Sequence, residues 1–211
     1  MEKIPVIIFG NNQTACLAKF YLNYDSNYNP VAFCVDKKFN NKKELDGLPV
    51  VDFEKIKEKY DNKNYKFFVP IYDNILREKK YIQVKEKGYE VISYLSSKCI
   101  CHGIFGENCF IMENNTIQPF VKIGNNVIIW SGNHIGHHSE IDNNVFISSH
   151  VVISGNCKIK SYSWLGVNSC IRDNIVISEG SFICMGSNVI NDTKPWNKYF
   201  GNPAKIKCGK N

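Results

Sequence analysis

The chain has 211 residues, 44% of them hydrophobic and 22% charged, a globular composition that excludes wholesale disorder and leaves room for one large domain or two small ones. The net charge of +6 rests on lysine, with arginine only at Arg77 and Arg172, so no Arg-rich stripe or aromatic RNA-binding motif directs the chain to nucleic acid, and small polyanions remain as partners. Nine cysteines without CxxC spacing, an N-terminus without a signal-peptide pattern and the lack of any run near ~20 apolar residues point to reduced thiols in a cytoplasmic chain without membrane insertion.

The first half alternates apolar runs with amphipathic segments. A strand is expected at Ile4–Gly10, a helix from Asn12 to about Tyr24, and a second strand at Val31–Asp36. A Lys/Asn loop (KKFNNKKELDG) leads to a helix from Asp52 to about Tyr60. A strand at Tyr65–Ile71, a helix at Asn74–Gly88 and a strand at Glu90–Leu95 complete the half. Strands alternating with helices predict a parallel sheet, hence a Rossmann-like α/β domain over residues 1–96. A ligand would sit at the carboxyl ends of its strands, near Gly10-Asn11-Asn12, Asp36-Lys37 and Tyr72-Asp73-Asn74. The first strand ends in GNNQTA, without the glycines that let a backbone approach a dinucleotide pyrophosphate; this disfavours NAD and leaves a smaller nucleotide. The alternative is a sheet that only stabilises an oligomer.

The second half follows a six-residue period. Ile111, Ile117, Ile123 and every sixth residue after them to Val189 are aliphatic. Two positions before most of these rungs stands a small or β-branched residue, such as Val127, Ser139 or Cys157. This is the pattern of a solenoid in which each unit supplies one short strand and one corner, and three units close a coil that buries its core on its neighbours. Cys109 and Cys157 fall on the inward small positions, where thiols act as packing. His137 lies two residues after rung Ile135, which points it outward at a corner, and His138 follows it. An imidazole there suits a general base working near neutral pH.

The ladder resembles the hexapeptide repeat of the left-handed β-helix acyltransferases. With a Rossmann-like half before it and Phe200-Gly201-Asn202-Pro203-Ala204-Lys205 after it, the whole chain is similar to the sugar O- and N-acyltransferases typified by bacterial sialic acid O-acetyltransferase and UDP-N-acetylbacillosamine N-acetyltransferase. The resemblance implies a left-handed parallel β-helix over 97–192, a C-terminal tail over 193–211, a homotrimer, and acetyl-CoA as co-substrate between neighbouring helices. It makes His137 the general base. Where relatives often carry an acid beside this histidine, the chain has Gly136 and His138, so His138, Glu140, Asp142 or a backbone carbonyl is left to orient the ring.

The resemblance further implies that the nucleotide-linked sugar meets Asn11, Asn12, Gln13, Asp36, Lys37 and Tyr72. Acetyl-CoA would lie along Phe146, His150, Val167, Met185 and Gly186, with its phosphates near Lys194 and Lys205. The function so implied is N-acetylation of a nucleotide-linked amino-dideoxy sugar, without a metal, for surface polysaccharide or glycan biosynthesis. The alternatives are O-acetylation of the sialic acid type, a zinc enzyme drawing on His134, His137, His138 and His150, and a non-catalytic trimeric scaffold.

Overall fold

A computed structural model describes residues 3–207, and contact density divides the chain into two units between Tyr94 and Leu95. The last four residues of the expected tail lie outside the described residues. No helix among the described residues is long and apolar enough to cross a membrane.

The first unit contains β1 (Ile4–Phe9), α1 (Gln13–Tyr24), β2 (Tyr28–Val35), β3 (Glu44–Leu45), β4 (Leu48–Asp52), α2 (Ile56–Lys59), β5 (Lys66–Phe68) and α3 (Asn74–Glu86). Its sheet runs in the order β3-β4-β2-β1-β5 and is parallel apart from the β3–β4 hairpin. Central β1 is apolar on both faces, with Val6, Ile7 and Ile8 fully buried, as a doubly covered parallel strand requires. Both longer helices begin at side-chain caps. Asn12 accepts a hydrogen bond from the Ala15 N–H (3.1 Å), and Asp73 accepts one from the Leu76 N–H (2.7 Å).

Three sequence expectations change here. The strand expected from Val31 begins at Tyr28, and Pro30, which has no N–H to donate, lies beside the register shift between Val6 and Ile7. The basic loop and the start of the expected helix at Asp52 instead form the β3–β4 hairpin, closed by Asp46 (φ 47°) and Gly47 (φ 75°); the helical turns begin only at Phe53. The strand expected at Glu90–Leu95 joins this sheet only through a single bridge between Val91 and Phe67, so β4 takes the place of the fourth parallel strand.

The second unit is a left-handed parallel β-helix. Two-residue strands stack in three sheets, and equivalent positions lie 18 residues apart: His134 pairs with Thr116 below it and Val152 above it. Rung residues from Ile111 to Val189 form one continuous core in which none exceeds 5% exposure. The small residues two positions earlier are also buried and close the corners. Ser139 Oγ, for example, donates to the Ser154 carbonyl and accepts from the Cys157 N–H, both at 3.1 Å. Burial pushes the Cys157 thiol above its ordinary pKa, which suits a packing role.

A second six-residue line runs beside the rungs. Every sixth residue from Asn108 to Gly186 has a left-handed backbone: asparagine at 108, 114, 126, 144, 156, 168 and 174, glycine at 132, 180 and 186. Glycine has no Cβ to clash, and asparagine's short amide tolerates the conformation. Phe120, His138, His150 and Tyr162 occupy the remaining positions of this line.

At the first coil the spacing contracts: Cys101 pairs with Ile117, 16 residues on, whereas Phe105 already pairs with Ile123 at the regular interval of 18. At the other end, part of the expected tail is sheet. Lys198–Phe200 adds a parallel strand beside Phe182–Ile183, and Lys205–Ile206 folds back on it. Because each coil is held by those above and below, a mid-ladder cavity cannot collapse. Replacing Ile153 by Ala is expected to lower unfolding free energy by about 2–5 kcal/mol in a urea titration.

Candidate functional site

The corner carrying His137 is built from three successive coils. Gly136 is packed so closely that a Cβ would stand 2.5 Å from the Ser154 carbonyl carbon and 2.6 Å from the Gly155 nitrogen. The His137 N–H donates to Gln118 Oε1 of the coil below (2.9 Å), and its carbonyl accepts from the Asn156 N–H of the coil above (2.9 Å). The ring lies against Gly155, where a Cβ would come within 2.8 Å of Cε1. Backbone and ring are therefore both placed by neighbouring coils. Gly155→Ala is expected to tilt the ring and lower any His137-dependent rate about 10-fold, with little change in melting temperature, since a side chain yields more readily than backbone.

The partner of His137 is His138. Their Nδ1 atoms are 3.1 Å apart, with ring planes 86° apart. One of the two nitrogens must carry the hydrogen. If it is His137, its Nε2 holds a lone pair, and the imidazolium formed on protonation keeps an acceptor in His138. His138 has φ 59°, and its ring centroid lies 4.6 Å from that of Phe120. The two nearby carboxylates have other neighbours: Glu140 stands 3.9 Å from Lys122, and Asp142 stands 3.3 Å from Lys160.

The other histidines stand apart from this pair. His134 is on the strand before the corner, paired through its backbone, while His150 occupies the later corner between Phe146–Ile147 and Val152–Ile153, its ring against Gly132 of the coil below. Among the described residues no group of three or more His, Cys, Asp or Glu side chains could hold a metal ion. By register, His150, Val167, Met185 and Gly186 lie along one corner on successive coils. Phe146 lies on the adjoining face, where its ring is buried in a stack with Trp164 at 3.8 Å. Lys194 and Lys205 are exposed beyond the last coils.

The first unit has a cavity of about 410 Å³ at the carboxyl ends of β1 and β2, where the chain switches from one side of β1 to the other. Asn11, Asn12 and Asp36 line it, together with Phe39, Leu76 and Lys80 among others. Asn11 Nδ2 donates to the Phe39 carbonyl (3.0 Å), which holds the basic loop against the GNN turn. Asp36 Oδ1 accepts from Lys80 Nζ at 2.6 Å, and Gln83 Oε1 also accepts from Lys80 (2.9 Å). The fully buried Arg77 donates to the carbonyls of Ile71 (2.6 Å) and Tyr72 (2.9 Å), shaping the loop after β5.

Three expected contacts are not among the lining residues: Gln13 opens α1, the Lys37 N–H donates to the Glu54 carboxylate, and Tyr72 is half-buried. Burial raises the Tyr72 phenol pKa, opposed by a hydrogen bond with Thr14. Sequence reasoning missed Phe39 and Phe120, although an exposed aromatic in a Lys/Asn loop and one breaking an asparagine period were both available signals. Lys80 carried none, since nothing local marks a helical lysine that turns inward.

Residues 102–135 and 121–155 match the bacterial transferase hexapeptide (six repeats) family. Among solved structures, a perosamine N-acetyltransferase mutant from Caulobacter crescentus in complex with CoA and GDP-perosamine superposes with a TM-score of 0.90 at 21% identity, covering 97% of each chain. The acetyltransferase domain of PglB from Neisseria gonorrhoeae gives 0.88 at 18% identity, covering 97% of this chain and 100% of that one. WeeI from Acinetobacter baumannii gives 0.78 at 18% identity, over 96% and 99%. At these identities the likeness is one of fold.

Proposed function

We propose that the protein is an acetyl-CoA-dependent N-acetyltransferase acting on the amine of a nucleotide-linked amino-dideoxy sugar, as a step in making a surface polysaccharide or glycan. The observation that carries this reading is the outward His137, whose Nδ1 has a hydrogen-bond partner in His138 and whose backbone and ring are placed by the coils around it. The cavity beside Asn11, Asn12 and Asp36, of ligand-pocket size, supports a nucleotide in the first unit. The similar perosamine N-acetyltransferase, solved with CoA and a GDP-sugar, supports the pairing of these two substrates.

In this reading the sugar amine attacks the thioester carbonyl of acetyl-CoA. His137 Nε2 accepts the amine proton as the C–N bond forms, and His138 accepts a hydrogen bond from the resulting imidazolium. The tetrahedral intermediate then collapses, its C–S bond breaks, and the proton passes to the leaving thiolate. No acyl-enzyme is formed.

The proposed base and the proposed cofactor line occupy two different corners of one coil. A cleft that joins them needs a second chain, which supports a homotrimer, and we place that homotrimer in the cytoplasm. Light scattering is expected to give about three times the 24.2 kDa chain mass, and a monomer would remove the proposed cleft. The test of function is free-thiol release from acetyl-CoA with UDP-, dTDP- and GDP-linked amino sugars. Release with one of them supports the reading; release only with hydroxyl acceptors would make the enzyme an O-acetyltransferase.

A further inference from the structure

Two consecutive corners below and at the base depart from the asparagine line. Phe120 has φ 67° and His138 has φ 59°, while the same corner on the next two coils carries Asn156 and Asn174. A bulky side chain in the left-handed region is disfavoured, and such outliers cluster where function holds them. Here the two departures meet, with ring centroids 4.6 Å apart and planes tilted by 35°. His138 in turn meets His137 at 3.1 Å, Nδ1 to Nδ1. Phe120 is 69% exposed, so burial of its ring in the core does not explain its presence. It makes a poor core residue and a poor turn residue, but its ring lies against that of His138.

We propose that Phe120 is a positioning residue for the acyl-transfer base: its ring fixes the His138 imidazole, which holds His137 with the hydrogen on Nδ1 and the lone pair on Nε2. The proposal rests on the acetyltransferase reading for its kinetic consequence but not for its geometric one. A carboxylate in place of His138 would accept from His137 Nδ1 in either of its orientations through two oxygens. An imidazole accepts through one nitrogen and only when its ring is turned correctly, so a histidine needs the support that Phe120 supplies.

The test uses Phe120→Asn, which installs the residue that the ladder itself carries at this backbone conformation and so keeps the fold. Side-chain ¹⁵N NMR of the full-length protein is expected to show His137 as the Nδ1-protonated tautomer in the wild type and as a tautomer mixture in Phe120→Asn. In the acetyl-transfer assay, kcat is expected to fall about 10-fold with the KM for acetyl-CoA unchanged, a modest part of the ~10²–10⁴-fold worth of a general base. Phe120→Tyr should restore both readouts. Phe120→Asn combined with His138→Ala should be no slower than His138→Ala alone, because both act through one hydrogen bond. An unchanged His137 tautomer in Phe120→Asn, or a double variant whose losses multiply, would overturn the proposal. If the NMR result holds while no amino sugar is acetylated, the positioning stands and the proposed function falls.

Discussion

His137→Ala is expected to lower kcat for acetyl transfer by roughly 10²–10⁴-fold, the usual worth of general-base catalysis. Acetyl-CoA affinity should hardly change, because the lost interaction is one made in the transition state. Some rate should survive, since holding the two substrates together contributes independently of proton transfer. His138→Ala should cost less than His137→Ala, and His134→Ala least, since His134 lies outside the Nδ1–Nδ1 pair. Near-full activity in His137→Ala, with His150→Ala inactive, would transfer the chemistry to the other corner.

Lys80→Met is expected to lower unfolding free energy by about 3–5 kcal/mol, because it leaves the Asp36 carboxylate at the cavity wall without its counter-ion. The side chains are 8% and 17% exposed with 2.6 Å between the charged atoms, so water replaces the lost contact only in part, from the cavity side. The ammonium also sits 5.4 Å from the Phe9 ring centroid and 6.0 Å from that of Phe53, contacts that methionine keeps only as packing. Adding Asp36→Asn to Lys80→Met should recover most of the loss, since it removes the stranded charge. A urea titration in which Lys80→Met costs under about 1 kcal/mol would show the pair to be effectively solvated.

The two halves differed in what their residues disclosed. In the β-helix every rung faces the same environment, so burial acts at one fixed phase and the aliphatic period from Ile111 to Val189 reads directly as a solenoid core. The asparagine line at the opposite phase was equally regular, and it passed unread because its cause is a backbone conformation rather than burial. In the α/β unit, alternation identified the sheet, while the Asp46-Gly47 hairpin signal inside a basic loop was overlooked. The helix expected from Asp52 to about Tyr60 starts one residue later, at Phe53, because Asp52 ends the strand that pairs with β2. At the candidate site, the adjacency of His137 and His138 was visible in the chain, as was the missing acid. The Lys80–Asp36 pair spans 44 residues, and only the packing of α3 onto the sheet brings it together.

The register of the coils also determines which changes of length the molecule can absorb. Removing residues 123–128 would leave every remaining rung aliphatic and inward, with Ile135 stacked over Ile111, so the core would close again. The corner chemistry would not return with it. His137 would stand over Glu113 instead of Pro119, and His138 over Asn114 instead of Phe120. Removing a whole 18-residue coil would instead leave each side chain on its own corner and lower everything beyond the cut by one strand spacing, about 4.8 Å. The ladder is therefore a ruler with two kinds of step. A step of six residues preserves folding and rotates the side chains around the axis by a third of a turn, whereas a step of 18 preserves orientation and changes only height.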